Sequence, residues 1–271
     1  DGVTNGPITG DTRIDGFVVT AGYADGSGDH DSGGGLYCDG SDGGVCSPRL
    51  ARVTFSGNRA EAGGGMFNDG YQGTSSPVLT NVTFSGNQAG AGGGMFNESC
   101  GGESSPTLIK VTFSGNRARY HGGGMFSCNE QGDISNPHLI NVTFSGNQAE
   151  ELGGGMSNFG SNPVLTNVAF SGNRAKEGGG MVNAWGNPVL TNVILWGNSA
   201  TTGTVMYNYV ATPTIAYSLV ESGWDGSGIY NDGGGVIDGG GNIDADPLFA
   251  RDPDPGDGDW TTLEDNDYGD L

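Results

Sequence analysis

The chain has 271 residues, 55 of them Gly, and its 31 Asp+Glu against 10 Lys+Arg give a formal net charge of −21. So much glycine excludes a helical protein, because each interior Gly costs about 1 kcal/mol in a helix. The triplet arrangement, as in Gly63-Gly64-Gly65, excludes collagen, which needs Gly at every third position. The acidity argues against nucleic acid and anionic lipid as partners, and no stretch approaches the ~18 apolar residues of a membrane span.

The chain opens at Asp1-Gly2-Val3 without a basic-then-apolar leader. A signal already removed, or excision from a longer polypeptide, is the expectation. Ile14–Ala21 fits an opening coil. A repeat then takes over, typified by PVLTNVTFSGNQAGAGGGMFN from Pro77 to Asn97. Its SGN-type Asn recurs as Asn58, Asn87, Asn116, Asn147, Asn173 and Asn198, at intervals of 29, 29, 31, 26 and 25 residues. The glycine triplets precede Leu36, Met66, Met95, Met125, Met156 and Met181, and a degenerate copy precedes Met206.

The copies align one another. From the opening Pro (Pro48, Pro77, Pro106, Pro137, Pro163, Pro188) to the Asn is always 10 residues, and from Asn to Met is 8 or 9. From Met, or Leu36, to the next Pro is 11 or 12 residues in the first four copies and 7 in the last three. One edge of the unit therefore bears loops of variable length. The long loops after Leu36, Met66, Met95 and Met125 are the expected contact surface, since loops on a rigid scaffold carry variation.

Val82 and Phe84 are two apart, as one face of a strand requires. Leu79 and Val82 are three apart, which breaks that period. A corner at Thr80-Asn81 lets both point inward, and Asn tolerates the left-handed conformation such a corner needs. A second corner is expected near Ser85-Gly86-Asn87, and GGGMFN forms a third strand. Three short strands in a unit of this length make one coil of a parallel β-helix. Stacking gives an interior file of Phe55, Phe84, Phe113, Phe144, Phe170 and Leu195, and another of Leu36 and the six Met residues. The six Asn residues form an amide ladder between coils about 4.8 Å apart. A helical solenoid is excluded by the glycine triplets. The triplets thin one wall where neighbouring backbone approaches closely.

Beyond Met206 the repeat drifts. Pro213–Val220 and Gly228–Phe249 fit two further coils. Residues 250–271 are acidic and turn-rich, and form a cap or tail.

The pairing of GGGM with FSGN resembles the GGA-hydrophobic and FxxN repeats of polymorphic outer-membrane proteins. It resembles even more the repetitive right-handed β-helix proteins of bacterial surfaces with variable anchors. In those, a Gly-Asn-Ile-Asp-x-Asp-Pro-Leu-Phe element follows the last coil, as Gly241 to Phe249 does here. The resemblance covers about residues 14–250 and speaks to fold, not to activity. Such proteins continue past the point where Leu271 stands, so a fragment or processed product is expected.

The candidate chemistry is sparse. Asp252, Asp254, Asp257 and Asp259 are closely spaced carboxylates among glycines, as an oxygen-ligand calcium site needs, without EF-hand spacing. Asp25, Asp29 and Asp31 form a weaker cluster. No cofactor is required, and calcium is the one ion with candidate ligands. Cys38, Cys46, Cys100 and Cys128 lack CxxC spacing, and His30, His121 and His138 do not cluster with them, so zinc is not expected. The even count suggests disulfides and an oxidising compartment. Cys38 and Cys46 share one loop. Cys100 and Cys128 lie in neighbouring coils and can staple them. Asn81 and Asn141 stand in sequons but at structural corners. Asn97-Glu98-Ser99 lies at a loop entrance and is the better glycan acceptor.

These readings converge on an all-β protein: a right-handed, single-stranded parallel β-helix of about nine coils over residues 1–249, with the acidic segment 250–271 behind it. The expected function is a non-enzymatic, extracellular structural, surface or adhesive module, or a fibre subunit stacking head to tail. Its expected partners are itself and host or matrix glycans. A polysaccharide lyase or glycoside hydrolase of the β-helix type is the alternative. Against it, the outward columns are mostly Thr, Ser, Asn and Gly, and no catalytic residue is assigned.

Overall fold

The computed structural model describes residues 2–4, 6–129, 135–223 and 228–248. It is an all-β parallel solenoid of about six regular turns, one for each Asn from Asn58 to Asn198. Pairing joins each residue to its counterpart in the next copy: Leu79 to Leu108, Phe84 to Phe113, Met66 to Met95, all parallel. The strands fall into three sheets. A 14-stranded Leu–Phe sheet contains Val78–Thr80 and Thr83–Ser85 of one copy, and their fused equivalents His138–Ser145, Val164–Ser171 and Val189–Trp196. An eight-stranded Met sheet runs from Leu36–Asp39 to Ile229–Asp232. A short sheet of three strands, Gln88–Ala91, Arg117–His121 and Gln148–Ala149, lies between them.

The corner that reconciles Leu79 with Val82 is where the three-residue spacing places it. Asn81 has φ 54°, Asn141 and Asn167 56°, and Asn192 55°. Lys110 and Tyr217 hold the same conformation at 55° and 51° without the Asn side chain. The stack therefore imposes the corner and Asn merely lowers its cost, since a non-Gly residue in this region costs roughly 1–2 kcal/mol.

The glycine triplet has two causes. The first glycine, Gly92 for example, turns the chain with φ +62°. The second and third are excluded volume: a Cβ on Gly93 would overlap the backbone carbonyl oxygens of Gly123 and Arg117 in the next coil. Backbone on both sides leaves nothing flexible to yield. Gly93→Ala should therefore cost about 1–3 kcal/mol. Gly57→Asn is the control: its φ of +63° suits Asn and nothing lies within 4 Å of the new Cβ, so the loss should stay within about 1 kcal/mol. Urea midpoints of the two variants check the contrast.

Inside, the Phe file is continuous. Phe55, Phe84, Phe113, Phe144 and Phe170 stack with centroids 4.7–5.0 Å apart and planes 2–8° from parallel. That spacing is the rung spacing, and it falls in the range that aromatic pairs prefer. Met66 to Met206, Leu50 to Leu190 and Val53 to Val193 form three further files, all buried.

The Asn ladder fills the corner after the Phe file. Asn116 donates its backbone N–H (3.1 Å) and its Nδ2 (2.9 Å) to Asn147 Oδ1, and Nδ2 also to the Phe84 carbonyl (2.9 Å). Its own Oδ1 accepts the same pair from Asn87. The pattern runs from Asn58, whose Oδ1 accepts Gly22 N–H, to Asn198. Each amide is thus satisfied only because its neighbours are identical.

Two further ladders run along the stack. The final Asn of GGGMFN is buried and chained: Asn68 to Asn97 to Ser127, then Asn158 to Asn183 to Asn208 to Asn231. The Oδ1 atoms of Asn68 and Asn158, the first rung of each run, have no hydrogen-bond partner. At the corner before each Pro, backbone N–H groups donate to the preceding side chain from Ser76 to Thr212, with Ser76, Ser105, Asn136, Asn162 and Asn187 as steps.

The second ladder corrects the reading of Asn97. It is fully buried, accepts from Asn68 Nδ2 and donates to Ser127 Oγ. A residue so placed is no glycan acceptor in the folded chain.

Candidate functional site

The site lies on the short sheet, a wall that was expected to be only a corner. Its outward column follows each ladder Asn by one residue. Parallel bridges join Tyr23, Arg59, Gln88, Arg117, Gln148, Arg174 and Ser199 in order. The result is an alternation of Arg and Gln along the stack, with the backbone positions of successive Arg residues about 9.6 Å apart at two rungs each. Inward from this column sit only alanines, Ala118, Ala149 and Ala175 forming their own small core cluster. The small residues keep the wall thin and the outward side chains in one row. Two residues further on, a second outward column reads Glu61, Gly90, Arg119, Glu150 and Lys176 and carries both signs.

Five of the nine basic residues in the described segments, Arg59, Arg117, Arg119, Arg174 and Lys176, are on this wall. None has an ion-pair partner among the described residues; the ion pairs there are Arg13–Asp15 and Arg52–Asp15 on the Leu–Phe sheet. Arg59 lies over the Tyr23 ring at 5.6 Å and Arg119 over Tyr120 at 5.1 Å. These contacts orient the guanidinium groups while leaving their donors open. A groove of about 600 Å³ lies beside the first part of the row, lined by Tyr23, Arg59, Gln88, Arg117 and Arg119 and, with the opposite sign, by Asp25, Asp31, Glu61 and Glu150.

At the end of this wall His121 packs against Phe126 (5.3 Å) and Phe159 (5.1 Å), and its Nδ1 has no hydrogen-bond partner. Burial pushes its pKa below 6.5, with Glu151 opposing in part. The neutral ring is the stable form in the fold. The unfolded chain therefore takes up a proton first as pH falls. The contribution of His121 is present above about pH 6.5 and is lost as pH drops from there towards the lower folded value. Melting curves should show wild type losing stability across this window, and His121→Phe should flatten that slope.

The other expected sites are placed as follows. Cys38 and Cys46 form a disulfide with Cα atoms 5.5 Å apart, both buried. Cys100 and Cys128, expected to staple neighbouring coils, are both half-buried, and the described disulfide is Cys38–Cys46 instead. Their register explains this. Cys128 stands opposite Glu98, so Cys100 is displaced by two residues, an offset of about 8 Å between Cα atoms where a disulfide allows roughly 7 Å. Asp252, Asp254, Asp257 and Asp259 lie outside the described residues. Among the described residues no three His, Cys, Asp or Glu side chains are placed to hold a metal, Asp25 and Asp31 included.

The first long loops are themselves stacked. Asp42 N–H donates to Tyr71 O, Gln72 N–H to Cys100 O, and Glu103 N–H to Gly73 O. Where the loops shorten, Trp185 is 60% exposed with φ 57°, in the column occupied by Gly160 before it and Val210 after it. Its ring meets Tyr209 edge-on at 5.1 Å.

These features define a parallel β-solenoid with an outward row of alternating guanidinium and amide groups. Compared with protein-family models, curated proteins and solved structures, the chain matches none.

Proposed function

We propose that this protein is a non-enzymatic, extracellular structural or adhesive module: a stiff rod that displays a binding row. The observation that carries the reading is the division of labour around the coil. Inward side chains serve the files and ladders, while five cations without ion-pair partners among the described residues share one outward wall. The buried Cys38–Cys46 disulfide is compatible with an oxidising compartment. The GGGM and FSGN columns support kinship with repetitive β-helix surface proteins. Parallel strands at both ends of the stack, Arg13–Asp15 and Ile237–Asp238, support head-to-tail association, because strand edges are templates for further pairing.

Incubation with acidic and neutral polysaccharides, with and without calcium, tests the reading. Retention without change of polymer length is the expected result. New reducing ends or unsaturated products would establish the β-helix lyase or hydrolase instead. Electron microscopy at high concentration checks assembly: end-to-end rods are expected, and single short rods alone would remove the fibre.

A further inference from the structure

The proposed role leaves open what the row on the short sheet binds. We infer that Arg59, Gln88, Arg117, Gln148 and Arg174 form a track for a linear glycan bearing one carboxylate or sulfate on every second sugar. The inference rests on the binding-module reading and adds the ligand class. Three observations decide it.

The first is charge spacing. The cations of the column stand on alternate rungs, about 9.6 Å apart. Duplex DNA carries one charge per ~1.7 Å, far denser than this row can neutralise. A polymer with an anion on alternate units matches the rungs one for one.

The second is the residue between the cations. Gln88 and Gln148 stand on the rungs beside Arg117. The exposed Gln88 carboxamide both donates and accepts, and Gln148, whose Oε1 is buried, has its Nε2 donors to offer; both suit the hydroxyls of an uncharged sugar. A guanidinium presents a donor fork that suits a carboxylate or sulfate. An alternating row thus meets an alternating polymer.

The third is direction. The row runs along the stack, perpendicular to the strands. A peptide laid along it cannot pair its backbone with the sheet, whereas a glycan has no backbone amides to satisfy. The groove reaches from Tyr23 past Arg59, Gln88 and Arg117, three of the five track residues, and Arg59, Arg117 and Arg174 have no ion-pair partner to displace among the described residues.

The test is binding of the full chain to hyaluronate, in which every second sugar is a uronate, by calorimetry or affinity electrophoresis. A chondroitin sulfate arm separates sulfate from carboxylate preference, with dextran and short duplex DNA as further arms. Hyaluronate or chondroitin sulfate should bind, weakening with salt, while dextran and DNA should not. Arg117→Gln should weaken binding about tenfold, the scale of one charge-assisted hydrogen bond, with the melting temperature unchanged. Lys110→Gln, an exposed cation at the Asn81-type corner, should leave binding unaltered. DNA binding as well as the glycans, or equal losses in the two variants, would overturn the track in favour of diffuse charge. No binding to either acidic glycan would also overturn it while leaving the module reading intact. Cleavage of the polymer would overturn the module reading itself.

Discussion

Phe113→Ala should cost about 3–5 kcal/mol of folding free energy, the upper range for a large-to-small change in a core. The ring is fully buried and lies between Phe84 at 4.8 Å and Phe144 at 4.7 Å. Truncation removes two stacking contacts at once. The coil spacing is held by the ladders on either side, so the cavity cannot collapse. Phe113→Leu should cost much less, because the same file already accepts Leu195, which pairs with Phe170. Urea unfolding of the two variants measures the difference. Equal losses would mean that the rings act only as apolar volume.

Asn116→Ala should be comparably severe, for a different reason. It removes no large apolar surface. It leaves the Asn87 N–H without its acceptor, one Asn87 Nδ2 hydrogen unpaired while the other still reaches the Phe55 carbonyl, and the Phe84 carbonyl without its amide donor. Each orphaned buried group costs about 1–3 kcal/mol, so a loss of about 4 kcal/mol is expected. Asn116→Asp keeps the shape and still accepts from Asn87. Its carboxylate then faces the Phe84 carbonyl and Asn147 Oδ1, two acceptors that Asn116 met as a donor. The folded state therefore favours the protonated acid, and its pKa is raised. Stability of this variant should recover as pH falls through that raised value, while Asn116→Ala shows no such recovery. Melting curves from neutral to acid pH separate the two.

These effects explain which parts of the molecule could be read without a structure. The Phe, Met and Asn columns were legible because stacking makes each copy the environment of the next, so a residue that works at Phe84 works again at Phe113. The corner at Asn81 was legible from a three-residue spacing that no straight strand tolerates. The short sheet was not. Gln88-Ala89-Gly90 and Arg117-Ala118-Arg119 hold one small inward residue each, and Ala and Gly carry little strand signal. The missed wall is the one that bears the Arg–Gln row.

The second ladder escaped for a related reason. Asn97 stands two residues past a Met and two before the Ser99 that completes a sequon, and its place at a loop entrance suggests exposure. The copies held the contrary signal: Asn68, Asn158, Asn183 and Asn208 occupy the same column without a sequon. A polar residue repeated at an inward strand position is the mark of a ladder. The expectation of a Cys100–Cys128 staple ignores register, because membership of adjacent coils does not bring two residues opposite each other.

The glycine excess therefore has a physical account in turn geometry and close coil-to-coil contact. The acidity has a partial one. The short sheet collects five of the basic residues, while 10 of the 31 acidic residues lie between Asp244 and Leu271, for the most part outside the described segments.

Hydrogen–deuterium exchange resolved at single amides tests the central claim, that identical residues stacked rung on rung hold the fold. The account predicts the slowest exchange at the N–H groups of Asn87, Asn116 and Asn147, which donate into the buried ladder. Protection should decline towards both ends of the stack, as expected of a quasi-one-dimensional array. Uniformly fast exchange at these three amides, or greater protection in the terminal strands Arg13–Asp15 and Ile237–Asp238 than in the middle, would contradict it.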